Sequence, residues 1–392
     1  METPFVDLRD PRFAEDKYGY IEDLRSRNFY ANVSSGVVFF NQEDAAHVMK
    51  CEDFAFSFFQ IDADASPYLA NAINYELLNQ HGEAHARLRN LVAPALRDRV
   101  MGGLQAEIVN VVDQLIEAMP DDGEVDLTAD FADPIPGRVL GPMFGIPYEE
   151  ADELNQWIKI GGRKVDALQS GDGLAQVEEA NRKLHTYLRE LLAVRRDNPG
   201  ADMFSELILA EIDGDRLSED ELIYLSSELA SAGVDTTRAQ LPLILLDLLN
   251  APNEVAKLRD NPRLALRAVD EGMRFAPLPW ALPHKAVRDF KYKGIDFTEG
   301  DLAMVLVPAT NRDPSVMEQP GVLNITRDRV RNFSFGSGMH ACPAAQLARM
   351  EMSIALAALF SEFKMITLLE VPDLDPVQKG SSPKTLRVHV VK

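Results

Sequence analysis

A single helical pattern of about 31 residues constrains the fold of this chain more than any other feature of its sequence. It begins at Leu217–Leu222, where Ser218 and Glu221 form a capping box in which each side chain satisfies a backbone N–H group of the other residue. No strong stop signal follows until Asn250–Pro252. At about 1.5 Å per residue such a helix is roughly 46 Å long, so it is predicted to cross the whole molecule.

The rest of the chain is predicted to be mostly helical, with only a minority of residues in strands. Apolar residues recur at spacings of three and four in Glu83–Val92, Leu104–Met119, Tyr148–Ala167, Leu174–Arg195 and Ala344–Phe363. Short strands are predicted in Tyr30–Val33, Val37–Phe40, Phe290–Val307 and Leu386–Val391. Since no internal repeat or linker divides the sequence, residues 1–392 are predicted to form one mainly α domain of the α+β class.

Charge and cysteine content exclude several classes of protein. The 392 residues include 40 Lys+Arg and 62 Asp+Glu, a formal net charge of −22, which argues against binding to nucleic acid or to an anionic membrane. The first residues carry neither a basic stretch nor an apolar one, so a cytoplasmic protein without a membrane anchor is predicted. Only Cys51 and Cys342 are present, which excludes a disulfide framework and a zinc or iron–sulfur site with several cysteines.

The window Phe335–Ala344, with the letters FGSGMHACPA, is the most informative part of the sequence. Its glycines allow the backbone to approach a flat and bulky group. Pro343 is a favourable first helical residue, which places Cys342 at about the N-cap, where the helix dipole favours a thiolate. A thiolate in a shielded loop is either a nucleophile or a metal ligand, and spacing alone leaves both open. Cys51 has no such context and is predicted to be a buried core residue.

This window resembles the haem-binding loop of the cytochrome P-450 family, the haem-thiolate monooxygenases, whose pattern is F-x-x-G-x-[HR]-x-C-x-[GA]. The residues at the matching positions are Phe335, Gly338, His340, Cys342 and Ala344. The resemblance implies that Cys342 is the thiolate ligand of the haem iron, whose electron donation favours O–O cleavage. Phe335 and Gly336 would contact the haem on the same side. Ala344 stands where glycine is commoner, a minor departure.

A second motif of the same family lies on the long helix. The segment Ala232–Thr237, with the letters AGVDTT, resembles the pattern [AG]-G-x-[DE]-T-[TS]. The resemblance implies that Ala232 and Gly233 lie beside the haem, and that Asp235 and Thr236 form the acid–alcohol pair that passes protons to dioxygen. Glycine and hydroxyl side chains can also open the hydrogen-bond ladder of a helix, which would leave room for dioxygen and water.

Two further segments match the family in the expected order. Glu271 and Arg274 form the motif E-x-x-R, and Asn311–Pro314 matches its N-R-D-P turn. The segment Leu323–Arg327 resembles F-D-x-x-R, although Leu and Asn replace Phe and Asp. The resemblance therefore implies a structural triad of Glu271, Arg274 and Arg327.

Four residues are candidates for binding the haem propionates. His85 and Arg89 are four residues apart, on one face of a helix that resembles the family's D-P-P-x-H-x-x-x-R segment. The alternative for this pair is a basic stripe on the surface. His340 is a third candidate, and His284 is the fourth, at a position where the family usually has Arg. Because histidine is charged only near or below about pH 6.5, we expect weaker haem retention in alkali.

The resemblance implies a fold, a reaction and an electron donor. A triangular, mainly α domain with small sheets would bury haem b between the long central helix and the helix of the cysteine loop. The enzyme would use O2 to insert one oxygen atom into a C–H bond. Gly171–Gly173 lacks the third glycine of a nucleotide motif, so no bound flavin or nicotinamide is expected. Electrons would then come from a separate ferredoxin with its NAD(P)H-dependent reductase, and the chain is expected to be a monomer.

An acidic ferredoxin would need a local basic patch on this acidic chain. The candidate residues, near segments expected on the cysteine side of the haem, are Arg87, Arg97, Arg99 and Arg349. Scattered, solvated arginines are the alternative.

An apolar small molecule is the expected substrate. Candidate pocket residues, from the segment before His85, the long helix and the stretch after the E-x-x-R motif, are Tyr68, Tyr75, Leu229, Trp280, Ala281 and Leu282. Aromatic residues of this kind are more often part of the core than of a pocket.

Other functions remain open from the sequence. A haem-thiolate enzyme can catalyse ring coupling, desaturation or a peroxide-driven oxidation, although the Asp235–Thr236 pair argues against the last. A haem-binding sensor or carrier without catalytic activity is the second alternative.

Overall fold

Helices make up most of the computed structural model, which describes residues 3–7, 10–34, 36–57, 66–97, 100–164, 167, 170–212, 214–328, 330–372, 374 and 382–392. The α-helices are α1 (Pro11–Glu15), α2 (Lys17–Arg27), α3 (Gln42–Lys50), α4 (Pro67–Ile73), α5 (Gly82–Arg97), α6 (Val100–Glu117), α7 (Pro134–Phe144), α8 (Tyr148–Gly161), α9 (Leu174–Asp197), α10 (Met203–Leu209), α11 (Glu219–Leu249), α12 (Pro252–Asp260), α13 (Ala265–Phe275), α14 (Val307–Thr310) and α15 (Ala345–Glu362). None of these helices is long and apolar enough to cross a membrane.

The strands form four small sheets. They are β1 (Tyr30–Val33), β2 (Gly36–Phe39), β3 (Phe54–Phe56), β4 (Asp122–Asp126), β5 (Glu211–Ile212), β6 (Asp215–Arg216), β7 (Ala281–Ala286), β8 (Phe290–Tyr292), β9 (Ile295–Phe297), β10 (Leu302–Leu306), β11 (Met365–Leu368) and β12 (Arg387–Val391). The largest sheet has the order β1-β2-β10-β7-β3, and a second has the order β11-β12-β4. The prediction of a mainly α fold with small sheets is confirmed.

The long helix predicted from the sequence is α11, and both of its ends are confirmed. Ser218 is its N-cap, and Glu221 completes the capping box. The helix is buried along most of its length and packs against α7, α9, α13 and α15. It is continuous through Gly233, so the predicted opening of its hydrogen-bond ladder is not seen.

Two strands of the largest sheet, β3 and β7, were not predicted from the sequence. β7 lies between β10 and β3, and its residue His284 pairs with Ala303 on one side and with Phe56 on the other. Pro283 in this strand lacks the N–H donor that an inner strand normally uses, which is why the sequence did not indicate a strand. The sheet thereby carries His284 to a buried position, where the side chain is 4% exposed.

Close packing of α13 on α11 depends on Gly272. A Cβ atom at this position would lie 2.8 Å from Cγ1 and 2.9 Å from Cγ2 of Ile244, which belongs to α11. Real Cβ atoms essentially never come this close to another carbon, so the two helices could not keep their present separation with a larger residue here. Glu271 and Arg274, on either side of Gly272 in α13, are therefore placed by contact with the central helix.

We expect Gly272→Ala to lower the free energy of unfolding by about 1–3 kcal/mol, because the added methyl group overpacks the contact with Ile244. The matched control is Gly103→Ala in α6, where no described atom outside the backbone of that helix and the two adjacent residues lies within 4 Å of the added Cβ. That change should stabilise the protein by about 0.5–1 kcal/mol through backbone entropy. Chemical denaturation of the two variants measures both effects, and a shift of the same sign in both would contradict the packing argument.

Candidate haem site

The cysteine loop is held by its own backbone hydrogen bonds. The N–H group of Cys342 donates to the carbonyl oxygen of Phe335 at 2.8 Å, and the N–H group of Gly336 donates to that of Phe333 at 2.8 Å. The last residues before Cys342 form a short 3₁₀ turn, Gly338–His340. The loop therefore presents Cys342 from a fixed backbone rather than from a flexible segment.

Glycine is required in this loop for a steric reason. Gly338 has a φ of +72°, in the left-handed region, and Gly336 has a φ of +66°. At Gly338 a Cβ atom would also overlap the carbonyl oxygen of Met49 at the end of α3. The glycines predicted from the sequence to allow a close approach thus serve, in part, the approach of the loop to α3.

Cys342 lies two residues before the N-cap of α15, not at the N-cap as predicted. Ala344 occupies the N-cap position, and both cysteines of the chain are free. Burial raises the pKa of the Cys342 thiol, while the Ala344 N–H group and the charges of Arg89 and Arg349 act in the opposite direction. Without a bound cation the thiol form is therefore favoured, and a metal ion would be needed to hold the thiolate.

Imidazole rings gather beside this loop. The ring of His340 lies 4.2 Å from that of His85 and 5.8 Å from that of His81, measured between centroids. The ring of Phe56 stacks on His340 at 5.2 Å and meets His284 edge-on at 5.4 Å. Three of the four predicted propionate ligands are histidines, and the structure brings all three into this one cluster.

The histidine cluster carries little charge of its own. Burial lowers the pKa of His85 to about 4 and the pKa of His284 to about 4. Burial also lowers the pKa of His340 to about 3. In the part of the chain that the structure describes, Nδ1 of His85 is buried without a hydrogen-bond partner, and Arg89 has neither a hydrogen bond nor an ion pair.

This set of side chains fits the carboxylates of haem. Arg89, which has no hydrogen-bond or ion-pair partner in the described part of the chain, and the buried Nδ1 of His85 would both gain a partner from an anionic group. A buried polar group without a partner costs free energy. The cluster lies beside the loop that holds Cys342, since Arg89 acts on the thiol and His340 is part of the loop. The residues present thus suit a flat, anionic cofactor that also takes a thiolate ligand.

One face of α11 is open in the middle of a helix that is otherwise largely buried. Ala232 and Thr236, four residues apart and hence on the same face, are exposed, whereas Val234 and Thr237 are buried. The hydroxyl group of Thr236 donates to the carbonyl oxygen of Ala232 at 2.8 Å. The motif predicted from the sequence to line the haem therefore does border an open space.

Asp235 points in a different direction from Thr236. Its carboxylate accepts from Nε of Arg238 at 2.9 Å, and Arg238 also lies 3.9 Å from Asp133. The backbone of Gly162 approaches this carboxylate so closely that a side chain there would overlap it. Burial raises the pKa of Asp235, and the charge of Arg238 opposes this shift. The two residues of the predicted pair thus lie on adjacent faces of α11.

The predicted triad is assembled around a buried ion pair. Glu271 and Arg274 are fully buried and lie 2.8 Å apart, and Arg327 approaches Glu271 at 3.4 Å. The backbone N–H group of Asn324 also donates to Glu271 at 3.0 Å. Although Leu323–Arg327 matches the family pattern less regularly than the other segments, Arg327 does approach Glu271.

Tyr68 and Tyr75 contact the region where α4 meets α9 and α11. The hydroxyl group of Tyr68 lies 2.5 Å from Nδ1 of His185, and Nε2 of that histidine lies 3.0 Å from the hydroxyl group of Ser227. Tyr75 stacks on Tyr224 with a centroid distance of 5.0 Å. Their polar groups and rings are thus engaged with other residues of the protein.

The other candidate pocket residues belong to the central helix, to β7 and to the residue before β7. Leu229 is buried on α11. Ala281 and Leu282 belong to β7, where they pair with Leu306 and Val305. Trp280 packs with the cluster of apolar residues near the N-terminus, and Lys17 lies 5.5 Å from the centroid of its ring. The role of these six residues in a substrate pocket therefore stays a prediction.

Two of the four arginines expected in a basic patch are already paired. Arg87 forms ion pairs of 2.6 Å with Asp215 and with Glu221. Arg349 donates to Asp270 at 2.7 Å. Arg99 and the side chain of Arg97 lie outside the described residues. Arg87 and Arg349 are thus engaged by carboxylates of the protein, and a basic patch formed by the four arginines stays a prediction.

The sequence interpretation missed two acidic residues, one buried and one half-buried. Glu351 on α15 is buried, its pKa is raised to about 8 by burial, and it accepts a hydrogen bond from Thr237 on α11. Glu228 on α11 accepts from the backbone N–H groups of Leu77 and Leu78 at 2.6 and 3.0 Å. An acidic residue within an apolar helical stretch is the signal that could have identified both.

Glu228 also lines a polar cavity beside the predicted pocket tyrosines. Glu76 and Lys164 form an ion pair on its wall, and His185 and Tyr224 line it as well. Because the cavity lies on α11 N-terminal to Thr236, it adds polar groups to a region that the sequence had suggested to be apolar.

The chain resembles known proteins over most of its length. A family model described as Cytochrome P450 matches residues 28–388. The Epothilone C/D epoxidase of Sorangium cellulosum is 33% identical over 379 residues, which cover 92% of this chain and 89% of that protein. The Vitamin D(3) 25-hydroxylase of Pseudonocardia autotrophica is 36% identical over 280 residues, which cover 71% of this chain and 68% of that protein.

A solved structure has the same fold. The crystal structure of P450BioI in complex with acyl carrier protein ligated to hexadec-9Z-enoic acid matches with a TM-score of 0.89 at 27% identity, covering 97% of this chain and 99% of that chain. The arrangement described above is therefore that of a fold shared with haem proteins of known structure.

We expect the haem retention of this protein to depend on pH through His284. Haem carboxylates beside the ring would favour the imidazolium, so haem binding should raise the pKa of His284 from about 4. His81 and His340 also face this group. The contribution of His284 to haem binding is then present in acid and lost as the pH rises through the raised pKa, whereas an arginine would stay charged.

The rate of haem transfer to an excess of a haem-scavenging apoprotein, at about pH 6 and about pH 9, measures this effect. Haem loss in alkali should be slower from His284→Arg than from the unaltered protein. His284→Asn is the control that is neutral at both pH values. The difference in haem loss between the two pH values should be smaller in this variant than in the unaltered protein, and the remainder would come from His85 and His340. Equal haem loss from the unaltered protein and from His284→Arg in alkali would contradict the assignment.

Proposed function

The chain belongs to the cytochrome P450 family, and from this premise we propose that it inserts one oxygen atom from O2 into a C–H bond of an apolar small molecule. It is a haem-thiolate monooxygenase that uses haem b and O2, as its relatives named for epoxidation and hydroxylation indicate. The observation that carries the proposal is the free thiol of Cys342, presented by a rigid loop next to a histidine cluster and to Arg89, which has no ion-pair partner among the described residues.

Bound haem would supply the reductive activation of O2, which thiolate ligation favours. Cys342 would hold the iron, and the loop backbone fixes its position through the hydrogen bond from the Cys342 N–H group to Phe335. His85, Arg89 and His340 would bind the haem carboxylates. Gly233 adds no side chain beside the open face of α11 that Ala232 and Thr236 form.

Thr236 and Asp235 would control the supply of protons. The hydroxyl group of Thr236 borders the open face of α11 and can hold a proton there, since its own hydrogen bond to Ala232 fixes its orientation. Asp235 lies about 100° further round the helix, so a proton from it would reach Thr236 through water. Its ion pair with Arg238 must loosen for that carboxyl group to change protonation.

A separate ferredoxin with its NAD(P)H-dependent reductase is the proposed electron donor. The sequence offers no flavin or nicotinamide motif, and the chain is expected to act as a monomeric single domain over residues 1–392. With a net charge of −22, association with an acidic ferredoxin depends on local positive charge near the cysteine loop.

A second reaction is favoured by one relative. The protein named Epothilone C/D epoxidase matches 92% of this chain, which supports addition of the same oxygen atom to a carbon–carbon double bond as the second candidate. Coupling, desaturation and peroxide-driven oxidation use the same ligand set. A haem sensor or carrier would also bind haem through Cys342 but would form no product.

Spectroscopy and product analysis distinguish these functions. Thiolate ligation gives the ferrous carbonyl complex a red-shifted Soret band, so its absence would contradict the haem-thiolate assignment. A screen of apolar compounds for the haem spin-state shift then identifies ligands of the pocket. Turnover of such a ligand with ferredoxin, reductase and isotopically labelled O2 should place one labelled atom in the product. A product without label indicates coupling or desaturation, and no product indicates a carrier.

We expect Thr236→Ala to lower product formation on the order of 10²-fold, because the proton donor at the open face of α11 is lost. Consumption of reductant should continue, with hydrogen peroxide as the product of O2. Thr236→Ser keeps the hydroxyl group and is the matched control, which should stay close to the unaltered enzyme. The ratio of product to reductant consumed measures the effect, and an unchanged ratio in Thr236→Ala would contradict this role.

A further inference from the structure

Arg349 connects the cysteine loop to the helix that carries the buried ion pair. Its guanidinium group lies over the ring of Phe335, 4.4 Å from the centroid, and its Nε donates to Asp270 at 2.7 Å. The carbonyl oxygen of Phe335 in turn accepts the N–H group of Cys342 at 2.8 Å. A continuous path of contacts thus leads from Asp270 on α13, through Arg349 on α15, to the backbone of Cys342.

The start of this path is rigid. Asp270 precedes Glu271, whose side chain is fully buried in its pair with Arg274. The segment that leads into the cysteine loop is attached to α13 as well, because the side-chain amide of Asn332 donates to the carbonyl oxygen of Asp270 at 3.3 Å. Asp270 therefore offers Arg349 a position that does not move with the loop.

Arginine suits this position better than lysine. A planar guanidinium can stack on an aromatic face and at the same time donate to a carboxylate in its plane, whereas an ammonium group is a point charge on a flexible stem. The contact holds the Phe335 ring from the side of α15, and it keeps a positive charge close to the sulfur of Cys342, on which it acts together with Arg89.

We propose that Arg349, held by Asp270, is a positioning residue for the haem-thiolate loop: it fixes the Phe335 ring and, through it, the backbone hydrogen bond to Cys342, and it stabilises the reduced haem by its charge. The inference rests on the haem-thiolate assignment of the proposed function. It gives Arg349 a role within the protein in place of the expected role in binding ferredoxin.

The charge has a definite effect on reduction. Reduction of the ferric haem adds one electron next to the thiolate, so a nearby cation favours the reduced state. Removing the cation should favour the ferric state and make the midpoint potential more negative. A residue that only binds ferredoxin would instead change the Michaelis constant for ferredoxin and leave the potential of the isolated protein unchanged.

The experiment is a redox titration of the haem-loaded protein without ferredoxin, together with spectra of its ferrous carbonyl complex. Arg349→Gln should raise the ratio of ferric to ferrous haem at a fixed potential about tenfold, which corresponds to about 59 mV for a one-electron couple. The red-shifted Soret band of this variant should also decay faster. Arg349→Lys keeps the charge, so the midpoint potential of this variant should change less than that of Arg349→Gln. It loses the stacking on Phe335, so its red-shifted Soret band should decay as fast as that of Arg349→Gln.

Three further variants keep the proposal open to contradiction. Asp270→Asn removes the anion that holds Arg349 and opposes its charge, so the midpoint potential should become less negative while the red-shifted band decays as fast as in Arg349→Gln. This variant provides the test if Arg349→Gln does not fold. Phe335→Leu removes the stacking partner, so the added effect of Arg349→Gln should shrink in that background. Arg267→Gln removes an exposed charge from the same helix, α13, and should leave the potential unchanged.

Two results would overturn the proposal. One is a potential and a carbonyl spectrum of Arg349→Gln that match the unaltered protein, with or without a change in the Michaelis constant for ferredoxin. The other is an equal shift in Arg267→Gln, which would trace the effect to net charge. An unaltered protein without the red-shifted band would instead contradict the haem-thiolate assignment itself, and with it this inference.

Discussion

The buried ion pair between Glu271 and Arg274 is the interaction on which the candidate site depends. Removing two charges from water costs several kcal/mol per ion unless every donor and acceptor is matched. Arg274 meets that condition, because its N–H groups donate to both oxygens of Glu271 and to the carbonyl oxygens of Asn311, Pro320 and Val322. Since an unmatched charge at this depth would cost about 3–5 kcal/mol, the backbone that supplies these carbonyls has one favourable position.

That position is passed on to the cysteine loop through Asn311. Its backbone accepts from Arg274, while its side chain accepts from the N–H group of Phe333 at 2.8 Å and donates to the hydroxyl group of Ser334 at 3.1 Å. Ser334 itself donates to the carbonyl oxygen of Met273 on α13 at 2.7 Å. The start of the cysteine loop is thus attached by direct hydrogen bonds to α13, the helix that carries the Glu271–Arg274 pair. The position of Cys342 therefore depends on this ion pair, although neither of its residues belongs to the loop.

Local signals could be interpreted from the sequence, and contacts between distant segments could not. The capping box of Ser218 and Glu221 fixed the start of α11 because both partners lie within one turn. The cysteine loop was recognised from a contiguous motif. Strand β7 was missed because Pro283 argues against an inner strand, and only its neighbours β10 and β3 make that position acceptable. Arg349 was interpreted as a surface charge, since nothing local indicates that Asp270 lies within hydrogen-bond distance.

The histidines around the loop resolve a conflict between folding and cofactor binding. Arg89 is already half-buried without an ion-pair partner among the described residues, and a second permanent charge at position 284 would add repulsion before haem is bound. Imidazoles avoid this cost, because burial keeps His85 and His284 neutral in the absence of an anion. When two haem carboxylates arrive, the same rings can take up protons and become their counter-charges. A histidine where the family usually has an arginine would thus exchange a permanent charge for one that appears with the cofactor, and we expect haem binding to depend on pH for this reason.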